Sequence, residues 1–331
     1  MAQPALLEVR DLRVSFRTRS GEIEAVSGID LDISDGEVLG IVGESGSGKS
    51  VALKAIMGLL PPQAQVTGSI RFRGRQLLGA PEHEMRALRG GKIAMIFQDP
   101  LTAFNPVMTI GDQIAEMLML HDRSLSRARL RARTVELLEL VSIPEAAARI
   151  DSYPHEFSGG MRQRVMIAMA VANNPDLLLA DEPTTALDVT VQAQVLDVLR
   201  ALQQKLNIGL ALVTHDLGVV AGTADRVSVM YSGRIVEKAG VDDLFADPRH
   251  PYTRGLIASV PRLDGQSGRL TSIEGAPPPP SSRPPGCSFA PRCPLAAELC
   301  RTQRPALRMA AKSLAACHFA EDTTAQIEPV T

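Results

Sequence analysis

The stretch VLGIVGESGSGKS, residues 38–50, decides the fold of this chain. Its apolar start, Val38–Val42, is typical of a buried strand, and a glycine-rich turn then leads into a helix-compatible segment, Ser50–Leu60, which Pro61-Pro62 is expected to stop. The turn fits the pattern G-x-x-x-x-G-K-[ST] in full, and the glycines of this pattern let backbone N–H groups cradle phosphate oxygens. We expect Lys49 to reach the β- and γ-phosphates of a nucleotide and the Ser50 hydroxyl to ligate Mg²⁺. The candidate phosphate loop consists of Gly43, Glu44, Ser45, Gly46, Ser47, Gly48, Lys49 and Ser50.

An acidic pair follows a second apolar run. Leu177–Ala180 is followed directly by Asp181 and Glu182. A site that hydrolyses a nucleotide needs an acidic metal ligand at the end of a neighbouring strand. Because successive strand residues point to opposite sides of a sheet, the two carboxylates are expected to have different roles. Asp181 is predicted to hold Mg²⁺ and Glu182 to polarise the attacking water.

The order of short apolar runs indicates an α/β fold with a largely parallel sheet. Apolar residues between Leu7 and Phe16 suggest two short strands, and Arg226–Tyr231 with Arg234–Glu237 is predicted to form a hairpin around Ser232-Gly233. From about residue 99 to 165 helix-like segments replace the strands, which predicts a helical insertion. Further strands are predicted at Ile93–Phe97, Leu177–Ala180 and Leu210–Val213, and helices at Ile110–Leu120 and Leu125–Val141.

The composition argues against several classes of protein. The 331 residues suffice for about two domains. The 35 Lys and Arg against 37 Asp and Glu give a net charge of −2, which with no Trp, 3 Tyr and 8 Phe argues against a nucleic-acid binder. The apolar run Val165–Ala172 is much shorter than the roughly 18 residues that span a bilayer. Glu8, Arg10 and Asp11 occur where a signal peptide would be apolar, so we expect a soluble, cytoplasmic chain.

Residues 157–164, FSGGMRQR, resemble the signature motif of ABC-transporter ATPases. Further motifs of that family are present in order, and the resemblance runs from about Leu6 to Ala239. The resemblance implies nucleotide contacts at four more positions. For one of them, Phe16, the alternative is a core residue of an edge strand. These positions are Gln98 (the Q-loop glutamine, also a Mg²⁺ ligand), Asp188 (the D-loop), His215 (the switch histidine, on the γ-phosphate) and Phe16 (stacking on adenine).

The residue types of the signature motif also suit an anion-binding site on physical grounds. Ser158 is suited to cap a helix that begins with Gly159 and Gly160, and such a helix end attracts an anion. In the family, two ATPase subunits meet head to tail, so that each signature closes on the γ-phosphate of the other subunit. Met161 departs from the usual glutamine but leaves the serine and both glycines intact. Because Glu182 and His215 are both present, the resemblance implies a hydrolysis-competent subunit.

All four cysteines fall in the last 45 residues, after a proline-rich segment (277–285) that predicts a stiff extended linker. Clustered cysteines in a reducing compartment favour metal ligation over disulfides. The spacing C-x₅-C-x₆-C-x₁₆-C lacks the C-x₂-C steps of zinc ribbons, so it does not favour zinc and does not exclude it. Four thiolates without an obligatory histidine suit an iron–sulfur cluster. His318 is an alternative ligand, and four unliganded thiols are the remaining alternative. The cysteines are Cys287, Cys293, Cys300 and Cys317.

This C-terminal region resembles the extension of oligopeptide and dipeptide importer ATPases. The matching segments are 250–254 (HPYTR), 284–287 (PPGC), 291–294 (PRCP) and 316–318 (ACH). In some members of that subfamily the four matching cysteines carry a [4Fe–4S] cluster. The resemblance divides the chain into an ABC nucleotide-binding domain at 1–240 and a cysteine-rich extension at 241–331. The first domain would contain a RecA-like phosphate-loop core with an antiparallel β subdomain and the helical insertion.

The resemblance implies an ATPase subunit at the cytoplasmic face of the cell's inner membrane that energises uptake of di- or oligopeptides. Its partners would be a second, related ATPase subunit, two transmembrane permease subunits and an extracytoplasmic solute-binding protein, with no nucleic acid. Nickel chelates, glutathione and other small solutes are alternative cargoes in the same subfamily. Two further classes are a soluble ABC ATPase acting on DNA or ribosomes and a module that senses redox state or iron.

Overall fold

The computed structural model describes residues 5–19, 21–185, 187–260 and 273–321. The chain divides into two compact units. The first unit contains the described residues up to Leu7, together with Ile33–Glu37 and Phe72–Val213. The second contains Glu8–Asp32, Val38–Arg71 and the described residues from Thr214 onward. Each unit is therefore assembled from segments that are distant in sequence.

The strands that carry the candidate site consist of buried residues throughout, as expected of parallel strands covered on both faces. The strands of the described residues are β1 (Leu7–Thr18), β2 (Gly21–Ile33), β3 (Val38–Val42), β4 (Ala64–Phe72), β5 (Arg75–Gln76), β6 (Ile93–Ile96), β7 (Leu177–Asp181), β8 (Gly209–Thr214), β9 (Arg226–Tyr231), β10 (Arg234–Gly240), β11 (Arg308–Ala310) and β12 (Ser313–Ala315).

Several helices begin at a side-chain cap that satisfies an N–H group of the first turn. The helices of the described residues are α1 (Lys49–Ile56), α2 (Glu82–Leu88), α3 (Pro100–Ala103), α4 (Ile110–His121), α5 (Arg127–Leu140), α6 (Ala146–Arg149), α7 (Gly159–Val171), α8 (Val189–Leu206), α9 (Leu217–Ala221), α10 (Val241–Ala246), α11 (Pro251–Ala258) and α12 (Glu298–Thr302), with single 3₁₀ turns at Pro154–Glu156, Pro280–Ser282 and Ala290–Arg292.

In the first unit, β6, β7 and β8 run parallel, with Ile96 opposite Ala180 and Asp181 opposite Val213. The carboxyl ends of these strands lie at one edge, which is where parallel sheets place ligand-binding residues. Helices α4, α5 and α7 pack against one another, and α7 also packs against β6 and α8. The helices that follow β6 are thus anchored to the strands through α7.

In the second unit, β3 pairs in parallel with β9, and β9 pairs antiparallel with β10. The hairpin predicted around Ser232-Gly233 is confirmed, with a bulge between Ile235 and Glu237. Two strands were not predicted from the sequence: β12, which pairs antiparallel with β10, and β11, which pairs with β12. The C-terminal segment therefore extends this sheet. In a second sheet, β2, β1 and β4 lie side by side.

Two local predictions near the N-terminus were wrong in extent. The segment predicted as two short strands is one continuous strand, β1. Helix α1 ends at Ile56 and not at the prolines, because Gly58 takes the left-handed conformation with φ 62°. The Gly58 N–H donates to Ala55 O and the Leu59 N–H donates to Lys54 O, which is the Schellman pattern of a glycine-terminated helix.

The proline-rich segment, predicted to be a stiff extended linker, contains a turn and is attached to the second unit. Pro280–Ser282 forms a 3₁₀ turn, and the Arg283 side chain that follows is only 10% exposed. Its guanidinium donates to Ser27 Oγ at 2.8 Å and to Ser232 Oγ at 3.0 Å. This arginine fastens the segment to β2 and to the β9–β10 turn.

Candidate functional site

The phosphate loop lies between β3 and α1, as the motif predicted. Gly43 and Gly48 have φ of 157° and 101°, and a Cβ on Gly43 would overlap the Met230 carbonyl of β9. A Cβ on Gly48 would lie 2.8 Å from the Ala25 carbonyl oxygen. Gly46, with φ 77°, faces open space. The first and last glycines are therefore required by close packing, and the middle one by the backbone conformation.

Lys49 is nearly buried at 4% exposure, and its Nζ donates to Gly43 O at 2.7 Å and to Glu44 O at 3.0 Å. The Ser47 hydroxyl is buried, and no described residue hydrogen-bonds to it. A buried polar atom without a partner marks a place where a bound oxygen atom would be satisfied. The loop thus presents an ammonium group, an unsatisfied hydroxyl and the N-terminus of α1, a combination that suits a polyphosphate.

The phosphate loop is also contacted by the C-terminal extension. The Glu44 N–H donates to the Tyr252 hydroxyl oxygen at 2.9 Å, and Arg292 Nη1 donates to both carboxylate oxygens of Glu44 at 2.9 and 3.0 Å. Tyr231, at the end of β9, packs its ring against those of Tyr252 and Phe289. No role was predicted from the sequence for Tyr231, Tyr252, Phe289 or Arg292. HPYT and PRCP were recognised as segments, but nothing in a local pattern shows what they contact.

The acidic pair of the first unit has a geometry that strand alternation did not predict. Asp181 is the last residue of β7 and is 2% exposed. Glu182 has left the strand in the left-handed conformation, with φ 47° and its N–H donating to Val213 O at 3.0 Å. Its Oε2 accepts from Thr185 Oγ1 at 2.9 Å and from Gln98 Nε2 at 3.2 Å. Asp181 therefore ends the strand, whereas Glu182 begins the turn that follows, and its carboxylate is oriented by a hydroxyl and an amide.

Ser158 caps α7 as predicted, because its Oγ accepts from the Met161 N–H at 3.3 Å. Ser158 and Gly159 are exposed, whereas Gly160 is buried against Val191 of α8. Asp188 caps α8, with its Oδ1 accepting from the Val191 N–H at 2.9 Å. The serine and the first glycine are therefore accessible at a helix N-terminus, and the second glycine serves helix packing.

Two further candidate site residues, His215 and Phe16, lie in the second unit. His215 directly follows β8 and is exposed. Asp216, next to it, caps α9 through its Oδ1, which accepts from the Gly218 N–H at 2.7 Å. Phe16 lies in β1 and is partly exposed, so its ring has a face that is not packed into the core.

The four cysteines line one small cavity, together with His318 and Phe289. All four are free thiols. Within the described ranges, no three His, Cys, Asp or Glu side chains form a group that could hold a metal ion. The thiols converge on a common space but are not gathered around a single ion, so the structure as it stands does not support a zinc site or an assembled cluster.

Burial changes the acidity of these thiols. It raises the pKa of Cys293 to about 11 and also raises the pKa of Cys287 and of Cys317. The neighbouring thiols add to each shift, because thiolates close together would repel one another. At neutral pH these groups are therefore thiols unless a metal compensates the thiolate charge.

None of the helices among the described residues is both long enough and apolar enough to cross a membrane.

The fold and the loop geometry define a phosphate-loop ATPase of the ABC class. The chain is similar to the dimeric structure of MJ0796, a bacterial ABC transporter cassette, over 71% of this chain and 98% of that one, with a TM-score of 0.64 and 28% identity. It is also similar to cbiO1 from Clostridium perfringens, part of the ABC transporter complex cbiONQ, over 73% and 91% of the two chains, with a TM-score of 0.62 and 27% identity.

The sequence comparisons narrow the class. Residues 26–185 match the ABC transporter family, and residues 236–300 match the oligopeptide/dipeptide transporter C-terminal region. The oligopeptide transport ATP-binding protein OppD of Salmonella typhimurium is 51% identical over 95% of this chain and 94% of its own length. The dipeptide transport ATP-binding protein DppD of Bacillus subtilis is 53% identical over 87% of both chains. The chain belongs to this family of oligopeptide and dipeptide transport ATP-binding proteins.

One group of relatives is longer. OppD of Mycobacterium tuberculosis is 55% identical over 91% of this chain, but this chain spans only 50% of its length, and the same holds for OppD of Mycobacterium bovis.

Proposed function

We propose that this chain is the ATP-binding and ATP-hydrolysing subunit of an ABC importer that takes up di- or oligopeptides. One observation carries the proposal. A complete phosphate loop and an oligopeptide-type C-terminal region occur in a chain that is half identical to peptide-transport ATP-binding proteins over nearly its whole length. Nickel chelates, glutathione or another small solute remain the alternative cargoes of the same importer class.

In this proposal the phosphate loop binds the β- and γ-phosphates. Lys49 exchanges its bonds with the Gly43 and Glu44 carbonyl oxygens for bonds to phosphate oxygens, and the Ser47 hydroxyl, which has no hydrogen-bond partner among the described residues, gains an acceptor. The loop would bind phosphate oxygens through backbone groups of Gly43, Glu44, Ser45, Gly46 and Gly48, and Phe16 would stack on adenine. Mg²⁺, which would neutralise charge on the phosphates, would be held by Ser50, Gln98 and Asp181.

Glu182 is the general base that polarises the attacking water, and His215 contacts the γ-phosphate. The contacts of Glu182 with Thr185 and Gln98 support this role, because they fix the direction of the carboxylate before substrate arrives. Gln98 donates to Glu182 through Nε2, which leaves its amide oxygen as the atom that would hold Mg²⁺. Nucleotide bound by a second ATPase subunit would be contacted by the signature motif and the D-loop of this chain, at Ser158, Gly159, Gly160 and Asp188.

The proposed assembly contains a second, related ATPase subunit, two transmembrane permease subunits and an extracytoplasmic solute-binding protein. The chain would lie at the cytoplasmic face of the inner membrane, as a peripheral subunit. ATP binding would clamp the two ATPase subunits together, and hydrolysis would release them and drive the permease. In domain terms, residues 1–240 would form the nucleotide-binding domain, with its helical insertion at about 99–165, and residues 241–331 the extension.

The cysteine cavity is proposed to hold an iron–sulfur cluster of the [4Fe–4S] type. Four thiols around one space supply the ligand number of such a cluster, and several iron atoms hold thiolates farther apart than one tetrahedral ion does. The raised thiol pKa values mean that metal binding would release protons. When bound, the cluster would tie three separate segments of the extension together.

Uptake measurements in a strain that lacks this chain test the proposed function. Complementation with the wild-type chain should restore uptake of a labelled tripeptide, whereas Glu182→Gln, expressed to the same level, should not. The exposed carboxylate variant Asp151→Asn serves as the matched control and should restore uptake. If the wild-type chain restored uptake of a nickel chelate or of glutathione but not of peptide, the importer would carry one of the alternative cargoes. No change in any uptake would contradict the importer proposal.

A further inference from the structure

Glu44, the first variable residue of the phosphate loop, is held from outside the loop by the C-terminal extension. Its carboxylate accepts from Arg292 Nη1 through both oxygens, at 2.9 and 3.0 Å. Its N–H donates to the Tyr252 hydroxyl at 2.9 Å. Its carbonyl oxygen accepts from Lys49 Nζ at 3.0 Å and from the Ser47 N–H at 3.2 Å. Every polar group of this residue thus has a partner, and the two partners outside the loop belong to the extension.

Arg292 is fixed on all sides. Its side chain is only 6% exposed, and its Nε and Nη2 donate to Glu274 O at 2.9 Å and to Ile273 O at 3.2 Å. Its guanidinium carbon lies 5.8 Å from the centre of the Tyr231 ring and 5.9 Å from that of Phe289. A guanidinium that is preorganised and shielded from water makes a stronger charge-assisted hydrogen bond than an exposed surface pair does.

Tyr252 is fully buried and lies against two other aromatic rings. The ring centres of Tyr231 and Phe289 are 4.6 and 5.4 Å away. His250 places this tyrosine, because its Nδ1 accepts from the Tyr252 N–H at 3.1 Å at the start of α11. Burial raises the pKa of Tyr252, so its hydroxyl stays protonated and neutral beside the Glu44 N–H.

We propose that Arg292 and Tyr252 are positioning residues for the phosphate loop, and that the extension thereby sets the affinity for ATP. Glu44 carries a negative charge on a loop that must bind a polyanion, and Arg292 compensates this charge and draws it away from the loop. Without the arginine, the carboxylate would repel the phosphates and the loop would lose one of its external anchors. This inference rests on the proposed assignment of the loop to ATP.

The same contacts connect the cysteine cavity to the nucleotide. Arg292 immediately precedes Cys293, and the 3₁₀ turn Ala290–Arg292 is closed by the Cys293 N–H donating to Ala290 O at 3.3 Å. Phe289, which packs on Arg292, also lines the cysteine cavity. A change in the order of the cysteine segment therefore moves the arginine that holds Glu44.

A double-mutant cycle on the full-length chain tests the proposal. The affinity for Mg·ATP is measured for wild type, Arg292→Gln, Glu44→Gln and the double variant. Arg292→Gln should bind about tenfold more weakly, equivalent to 1.4 kcal/mol. Glu44→Gln, which removes the negative charge from the loop, should bind slightly tighter than wild type, and the double variant should recover to within about threefold of wild type. Because the loss comes from repulsion between charges, it should shrink as ionic strength rises.

Three more variants separate positioning from folding. Arg292→Lys keeps the charge and should recover most of the affinity, and Tyr252→Phe keeps the ring but should weaken binding by about threefold through loss of one hydrogen bond. Arg308→Gln, an extension arginine that donates to His318 O and not to the loop, should bind ATP like wild type.

The proposal is overturned if Arg292→Gln binds ATP like wild type, or if the double variant stays as weak as Arg292→Gln alone. The second result would mean that Arg292 acts only through folding of the extension. Failure of the proposed function looks different, because Lys49→Ala would then bind ATP with unchanged affinity whatever happens at Arg292.

Discussion

Glu182 occupies a backbone conformation that few residues other than glycine adopt, and hydrogen bonds with Val213, Thr185 and Gln98 keep it there. Such strain persists only where the surroundings over-determine it, and it concentrates at functional sites. The left-handed turn takes Glu182 out of the strand that ends with the buried Asp181. The turn, and not strand alternation, therefore sets the direction of the Glu182 side chain. This places a carboxylate that accepts two side-chain hydrogen bonds at the end of the strand.

Replacing Glu182 with glutamine should abolish steady-state ATP hydrolysis while ATP binding is retained. The amide keeps the size of the side chain but removes the base, and loss of a general base costs about 10² to 10⁴ in rate. Phosphate release and nucleotide binding, measured on the same preparation, check this. Turnover within about twofold of wild type would remove Glu182 from the catalytic role.

Lys49→Ala should weaken binding of ATP by at least about tenfold, because a buried ammonium that donates to the phosphates makes charge-assisted bonds. Equilibrium titration with a fluorescent nucleotide measures this. Arg308→Gln is a suitable control, since this arginine donates to His318 O in the extension. An unchanged affinity in Lys49→Ala would contradict the assignment of the phosphate loop.

At the scale of elements, the two glycines of the signature motif have separate tasks. A Cβ on Gly160 would overlap Val191 Cγ1, whereas among the described residues a Cβ on Gly159 would meet only Leu187 Cδ2, at 3.7 Å. Gly160→Ala should therefore overpack α7 against α8 and lower the free energy of unfolding by about 1–3 kcal/mol. Gly159→Ala should change it by less than about 0.5 kcal/mol. Denaturant unfolding of both variants checks this, and equal stabilities would contradict the packing role.

Glu237 in β10 connects the sheet to α11, the helix that carries Tyr252. It is fully buried, and its two carboxylate oxygens accept from the N–H groups of Arg249 and His250 at 2.7 and 2.8 Å. Glu237→Leu would leave both N–H groups buried without an acceptor and should cost about 2–4 kcal/mol of unfolding free energy. Calorimetry measures the loss. Glu298→Leu on the short helix α12 is the control, and an equal effect of the two substitutions would contradict the account.

The sequence predicts elements whose signals are local. The β9–β10 hairpin follows from Ser232-Gly233 between two apolar runs, and the phosphate loop from its glycines and the preceding strand. It does not predict β11 and β12, since their pairing with β10 joins segments about 75 residues apart. The contact between Glu44 and Arg292 spans 248 positions and was missed for the same reason. No periodicity or short motif records a partner at that distance.

At the scale of the whole molecule, the extension does more than carry cysteines, because it extends a sheet and contacts the phosphate loop.

Protein purified without oxygen should be brown and contain about four iron atoms per chain if the cysteine cavity holds a [4Fe–4S] cluster. Iron analysis and the visible absorption spectrum measure this, with Cys287→Ser and Cys293→Ser as variants that lose both. Stoichiometric zinc without iron would contradict the cluster.

The measurement that tests the central proposal most directly is purification of the tagged chain from detergent-solubilised membranes of its native cell. Every stoichiometric partner should then be identified. The account predicts two transmembrane subunits and a second ATPase subunit of the same family. The importer proposal would be contradicted if the chain were recovered only from the soluble fraction, alone or with ribosomes or DNA. Such a result would not contradict ATP hydrolysis by this chain.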